Sequence, residues 1–333
     1  MRKLIRTAAL VTAVVLTATA FVSPRTPRPR DGRAAFLSAF DDHRVVALMS
    51  PVVGSFVYDL VADPRFADKA NDIVVECGNA LYQPVLDRYI AGEDVPIADV
   101  RKVWRNTTQP SCGFSSFYET LFALVRRVNQ TSAKKVRVLA GDPPVDWSTV
   151  RGPADVEQLD RDEHIADVVK TQVLAKNRKA LLLFGIRHLV HGDVGNAVQK
   201  YERDYPGVTY VVAYHRRFER DNDQLEARMA AWPVPSLVPF RGTWLGALDA
   251  SYFPDTEGAP PGTHGFPGAD AYLYLGRRDV LLDEQLNVRS LVDQDYLAEL
   301  DRRADVLGEP ADSPMRPAAV LQRAAESGVL LYE

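Results

Sequence analysis

Cysteine is scarce in this chain: Cys77 and Cys112 are the only two in 333 residues. That excludes a disulfide-dense scaffold and a cysteine-rich zinc site. A basic surplus is missing too. The 40 lysines and arginines are outnumbered by 44 aspartates and glutamates, for a net charge of −4. Nothing global draws the chain to nucleic acid or to an acidic membrane face. The basic run from Arg25 to Arg33 is broken by proline and reads as a tether. Past the N-terminus no apolar run approaches the ~20 residues that cross a bilayer. There is no Gly-x-Ser-x-Gly elbow, no phosphate-binding loop and no dinucleotide glycine fingerprint. Their absence argues against a standard α/β-hydrolase, an NTPase and a Rossmann dehydrogenase.

What the N-terminus does have is an export pattern. Met1-Arg-Lys-Leu-Ile-Arg6 is basic, Thr7 to Val22 is apolar, and Ala18-Thr19-Ala20 fits a small-x-small cleavage site. We expect residues 1–22 to be a signal peptide and the protein to be secreted or extracytoplasmic. An uncleaved anchor is the alternative. In an oxidising compartment Cys77 and Cys112 can pair or stay free. Residues 23–33 hold three prolines and four arginines and read as a linker. The folded region is expected from Ala34 as one domain, 34–333.

Strand-like and helix-like segments then alternate. Strands are expected at Arg44–Leu48, Asp72–Glu76, Lys135–Ala140, Ala180–Phe184, Val208–Tyr214 and Ala271–Leu275. Helices are expected at 54–62, 80–91, 97–106, 115–129, 161–176, 196–205, 293–307 and 317–326. Near-continuous apolar strands alternating with helices predict an α/β fold, a mainly parallel central sheet with helices on both faces. Trp232 to Gly268, with seven prolines and six glycines, reads as a long ordered loop.

In such sheets functional groups gather beyond the carboxyl ends of the strands. Glu76 follows three aliphatic residues and is a candidate general acid or base; the alternative is a structural carboxylate. Gly185-Ile-Arg-His188 ends the fourth of these strands, where a glycine turn would present the His188 imidazole for proton transfer. His191 lies three residues on. His188 and His191 with Glu76 nearby are a candidate set for a divalent metal, since imidazole and carboxylate are common zinc ligands. Arg161 opens a helix and can neutralise Glu76 or hold an oxyanion. Asp142, on a rigid strand exit, and Trp147 would line a pocket. Asn106-Thr-Thr108 and Asn129-Gln-Thr131 match the glycosylation acceptor pattern.

These residues resemble the superfamily that groups erythromycin esterases, the ChaN haem-uptake proteins and the Tiki proteases. The likeness runs from about His43 to Leu275. It is carried by Asn71-Asp-Ile-Val-Val-Glu-Cys-Gly-Asn-Ala-Leu-Tyr-Gln83, Val138-Leu-Ala-Gly-Asp-Pro-Pro144 and Ala180 to His188. The superfamily carries two Gly-x-x-His motifs at strand ends, a strand glutamate and a helix-opening arginine. The resemblance places the second motif at Gly185–His188, the glutamate at Glu76 and the arginine at Arg161. The first motif should be Gly-Glu-x-His after Leu48; here it reads Met49-Ser50-Pro51-Val52.

The resemblance therefore implies a hydrolase-like pocket with a degraded catalytic set. His188, Glu76 and Arg161 would be the remaining catalytic residues, and Asp142, Trp147, Gly185 and His191 would contact a small-molecule or peptide ligand. Weak or no turnover is expected. The rivals are an active, metal-independent hydrolase of an ester, lactone or amide using Glu76 and His188, and, by analogy with the ChaN branch, a haem- or metal-binding protein. Ser50 as a nucleophile with His188 as base is a further mechanism. His215 and His264 are candidates to replace the missing first motif. No cofactor is expected otherwise.

Overall fold

The computed structural model describes residues 26–49, 54–192, 195–256, 259–277, 287–313 and 316–326. The signal segment 1–22 and Ser50–Val52 of the degenerate motif lie outside them. Eight strands form one sheet among the described residues: β1 (Arg30–Asp31), β2 (Val45–Met49), β3 (Asp72–Asn79), β4 (Arg137–Asp142), β5 (Ala180–Phe184), β6 (Thr209–Tyr214), β7 (Ser236–Pro239) and β8 (Ala271–Tyr274). Their order is β1-β7-β8-β6-β2-β5-β3-β4. From β8 to β4 every pairing is parallel, while β7 runs antiparallel to β8 and β1 antiparallel to β7.

The fold is α/β, as expected, and its apolar strands feed two cores. The pleat sends alternate side chains to opposite faces. Val46 and Leu48 of β2, Ile73 and Val75 of β3, and Leu181 and Leu183 of β5 enter one core. Val45, Ala47 and Met49, with Val74, Leu182 and Phe184, enter the other. Helices Gly32–Asp42, Gly54–Ala62, Gln83–Ala91, Ile97–Arg105 and Phe117–Thr131 supply the first core, and Arg161–Val168 and Ala197–Glu202 supply the second.

Three expectations need correction. Arg30 and Asp31 pair with Leu237 and Ser236, and Asp31 caps the next helix by accepting from the Ala34 amide, so the end of the expected linker joins the sheet. The proline-rich loop contains strand β7. The helix expected over 161–176 is α-helical only to Val168 and continues as a π-helix over Val169–Leu174.

The exposed edge, β4, is sealed by side chains that take the place of a neighbouring strand. The Asn129 amide accepts from Val136 N and donates to Val136 O at 2.9 and 2.8 Å. Gln83 accepts from Ala140 N at 2.7 Å and donates to Val138 O at 2.9 Å. The His164 ring bonds to the Ala140 carbonyl, and burial lowers its pKa. Such capping blunts edge-to-edge association. Asn129 is therefore buried and engaged. Asn106 donates to the Tyr82 hydroxyl and accepts from Arg303, so neither glycosylation match presents a free acceptor.

Candidate functional site

Parallel register brings the informative strand ends to one edge. Met49 of β2 pairs with Phe184 of β5, and Leu183 pairs with Val75 of β3. Glu76, Gly185 and Met49 therefore meet where the sheet ends. Asp160 caps the helix that follows by accepting from the Glu163 amide, which sets Arg161 and Asp162 in its first turn above that edge.

Arg161 is the hub. Its Nη2 donates to Glu76 Oε1 at 3.0 Å, its Nε donates to Asp142 Oδ1 at 2.9 Å, and its Nη1 lies 3.3 Å from His188 Nε2. Burial lowers the Arg161 pKa, but the Asp142 and Glu76 carboxylates outweigh it and the net shift is upward. Glu76 Oε2 accepts from the Gly185 amide at 2.7 Å. His188 Nδ1 lies 2.8 Å from Asp162 Oδ1. A carboxylate there assigns the ring proton to Nδ1, so Nε2 presents its lone pair to the Arg161 guanidinium. Asp162 Oδ1 also accepts from the Ala197 amide at 2.7 Å.

Asp142 is fully buried and sits behind this group. Burial pushes its carboxyl upward; Arg161 and Thr108 pull against that. Thr108 donates to it through both its amide, at 2.6 Å, and its hydroxyl, at 2.7 Å. With three donors on two oxygens, the carboxylate form is the one the geometry holds. Asp142 thus positions Arg161 and does not reach a ligand. A disulfide between Cys77 and Cys112, with Cα atoms 5.6 Å apart, ties the strand next to Glu76 to the segment that carries Thr108 and Gln109.

Over this network opens a cleft of about 820 Å³ lined by Glu76, Arg161, Gly185 and His188 together with Arg187, Tyr214, Arg216 and Phe266. Met49, standing where the first motif would place its glycine, contributes an apolar surface there.

The structure brings together Glu76, Asp142, Arg161, Gly185 and His188. It separates two other expected residues from them. Trp147 packs on Val145 and Val150, donates to the Asn106 carbonyl at 3.2 Å and lies under the Arg303 guanidinium. The chain leaving β4 is pinned at Val145 by the Asn79 side chain, which sends Trp147 toward the C-terminal helices instead of the cleft. His191 follows the end of the four-residue helix Ile186–Leu189, and its amide donates to the Gly268 carbonyl at 3.0 Å. Its ring lies 3.1 Å from Asp270 and 3.5 Å from Glu202. Those two carboxylates raise its pKa to about 9. His191 does not line the cleft with His188, and no three His, Cys, Asp or Glu side chains among the described residues are grouped to hold a metal ion, so His188, His191 and Glu76 do not form the metal set expected from the sequence.

Gly185 also acts differently from the expected tight turn. Its φ of −58° and ψ of 149° suit any residue; its contribution is the amide that binds Glu76. His215 is fully buried against Glu226 and Tyr272, and His264 bridges to Asp249; neither replaces the first motif at the cleft. Sequence reasoning missed Asp162, Thr108 and the arginines at the cleft rim. Only Asp162 had a local signal, an acid in the first turn of a helix beside Arg161.

No family model matches the chain, and no curated protein matches it. Three solved structures are similar to it. A Bacillus cereus protein has 11% identity over 79% of this chain and 97% of its own, with a TM-score of 0.48. The type III effector HopBA1 has 9% identity over 78% and 99%, with a TM-score of 0.41. ChaN of Campylobacter jejuni, in a structure of cofacial heme binding, has 14% identity over 55% and 84%, with a TM-score of 0.32. ChaN, one of the branches named from the sequence, is thus among the structures this chain is similar to. Identities this low concern the fold alone.

Proposed function

We propose that this chain is an exported, hydrolase-like protein of the erythromycin esterase, ChaN and Tiki type that binds a small molecule or peptide in its cleft, with weak or no turnover. The observation that carries this reading is that each candidate base is already engaged. Both Glu76 oxygens accept, one from Arg161 and one from Gly185. His188 Nδ1 faces Asp162, and its Nε2 faces Arg161. A general base needs a lone pair aimed at water or substrate; here the imidazole's one lone pair points at Arg161, and each Glu76 oxygen already holds a protein donor. The sequence Met49-Ser50-Pro51-Val52, without the glycine, glutamate and histidine of the first motif, supports the same reading.

One observation favours a second reading, an active hydrolase of an ester, lactone or amide. The Asp162–His188 pair has the orienting geometry used in acyl transfer, and the 3.3 Å contact between His188 Nε2 and Arg161 is the longest hydrogen bond in the network. A ligand that displaced it would free the imidazole.

A panel of esters, lactones and amides separates the two. The binding reading predicts compounds that raise the thermal midpoint of the purified protein without being consumed. Product release above the buffer rate, for any compound that binds, favours the hydrolase instead.

A further inference from the structure

The cleft's charged rim points to a class of ligand. This inference rests on the cleft being a binding site. Two carboxylates line it, Glu76 and Asp255, and both are paired. Of its cations, Arg161 is committed to Asp142 and Glu76. Arg187, beside His188 on the short helix Ile186–Leu189, is exposed and has no ion-pair partner among the described residues. Arg216 pairs with Asp255, but those side chains are 41% and 51% exposed, and ion pairs that exposed exchange readily for another anion. The adjoining recess adds Arg217 and Glu219, both exposed, whose charges offset each other, so the anion preference rests on Arg187 and Arg216. The rest of the lining is different: Met49, Ile186, Tyr214 and Phe266 present apolar and aromatic surface.

We propose that the cleft selects a small organic oxyanion, an apolar body carrying one carboxylate or phosphate head, with the head on Arg187 and Arg216 and the body on Tyr214 and Phe266. Guanidinium forks match the planar carboxylate and the phosphate edge. A cationic ligand finds no unpaired carboxylate among the described residues that line the cleft.

The test is calorimetric titration of the purified protein with three probes of one shape: naphthoate, naphthyl phosphate and naphthamide. Both or one of the anions should bind, and the neutral amide should bind roughly tenfold to hundredfold more weakly. Which anion binds more tightly tells a carboxylate head from a phosphate head. Arg187→Gln and Arg216→Gln should each weaken the anion roughly tenfold and leave the amide unchanged, which also shows that the variants are folded. Equal affinity for amide and anions, anion affinity untouched in both variants, or no binding of either anion at ~10 mM would overturn the proposal. Hydrolysis of a naphthyl ester that depends on His188 would instead overturn the binding-only reading and leave selection for anions standing.

Discussion

His188 Nδ1 lies 2.8 Å from Asp162 Oδ1, across 26 positions of sequence, and that contact decides which nitrogen of the imidazole faces the cleft. With the proton on Nδ1, the Nε2 lone pair is left to meet Arg161. Asp162→Ala removes the acceptor, and both tautomers should then be populated. Nitrogen chemical shifts of the His188 ring at neutral pH report this directly. Of the two tautomers, the wild type should show Nδ1–H and the variant a mixture; identical shifts in the two proteins contradict the assignment.

Arg161 matters to stability because Asp142 has no exposure to water. Arg161→Gln leaves that carboxylate with the Thr108 donors alone. Removing one partner of a buried pair costs about 3–5 kcal/mol, so urea unfolding should show a loss of that order. The double variant Asp142→Asn/Arg161→Gln should recover part of it, since no buried charge remains. A loss below ~1 kcal/mol in the single variant would mean that Asp142 is neutral in the folded protein.

Trp147 supports the fold and not the ligand. Trp147→Ala should cost about 3–5 kcal/mol in unfolding free energy, the usual penalty for emptying a buried tryptophan site. It should leave the affinity of the cleft for its ligands within a factor of ~2, as expected for sites that share no contact. A selective loss of affinity at unchanged stability would put the indole back at the site.

His191 ties pH to stability. Its folded pKa of about 9 stands above the ordinary imidazole value of 6.5, so the folded chain favours the protonated ring. The resulting stabilisation is complete below pH 6.5 and is lost as pH rises through 9. Allowing for solvent screening, it amounts to ~1–2 kcal/mol. His191→Gln should flatten the wild-type decline in stability between those two values. A parallel decline in both proteins would assign it to other groups.

The parts of the fold that were legible were those that bury continuous apolar runs. Ala180–Phe184 is a strand at its expected bounds, and β2, β3, β4, β6 and β8 lie within a few residues of theirs. β7 hid in Ser236-Leu-Val-Pro239 because four residues among prolines carry too short a pattern, and β1 hid because Arg30 and Asp31 are exposed edge residues with no apolar signal. At the site, strand-end position sufficed to bring Glu76, Gly185 and His188 together. Direction was not legible. Trp147 and His191 lie close in sequence to Asp142 and His188, but Asn79 turns the first away and the Gly268 carbonyl turns the second. Asp162 was hidden in plain view: its role depends on a helix start meeting a strand end 26 residues later.

The central claim is that Arg161, Gly185 and Asp162 hold Glu76 and His188 in a state suited to binding and poor for turnover. Rates of ester and lactone hydrolysis by the wild type and by His188→Ala, measured side by side, test it most directly. Both proteins should show the same rate, at or barely above that of buffer. Hydrolysis by the wild type that disappears in His188→Ala would contradict it and make the imidazole a working base.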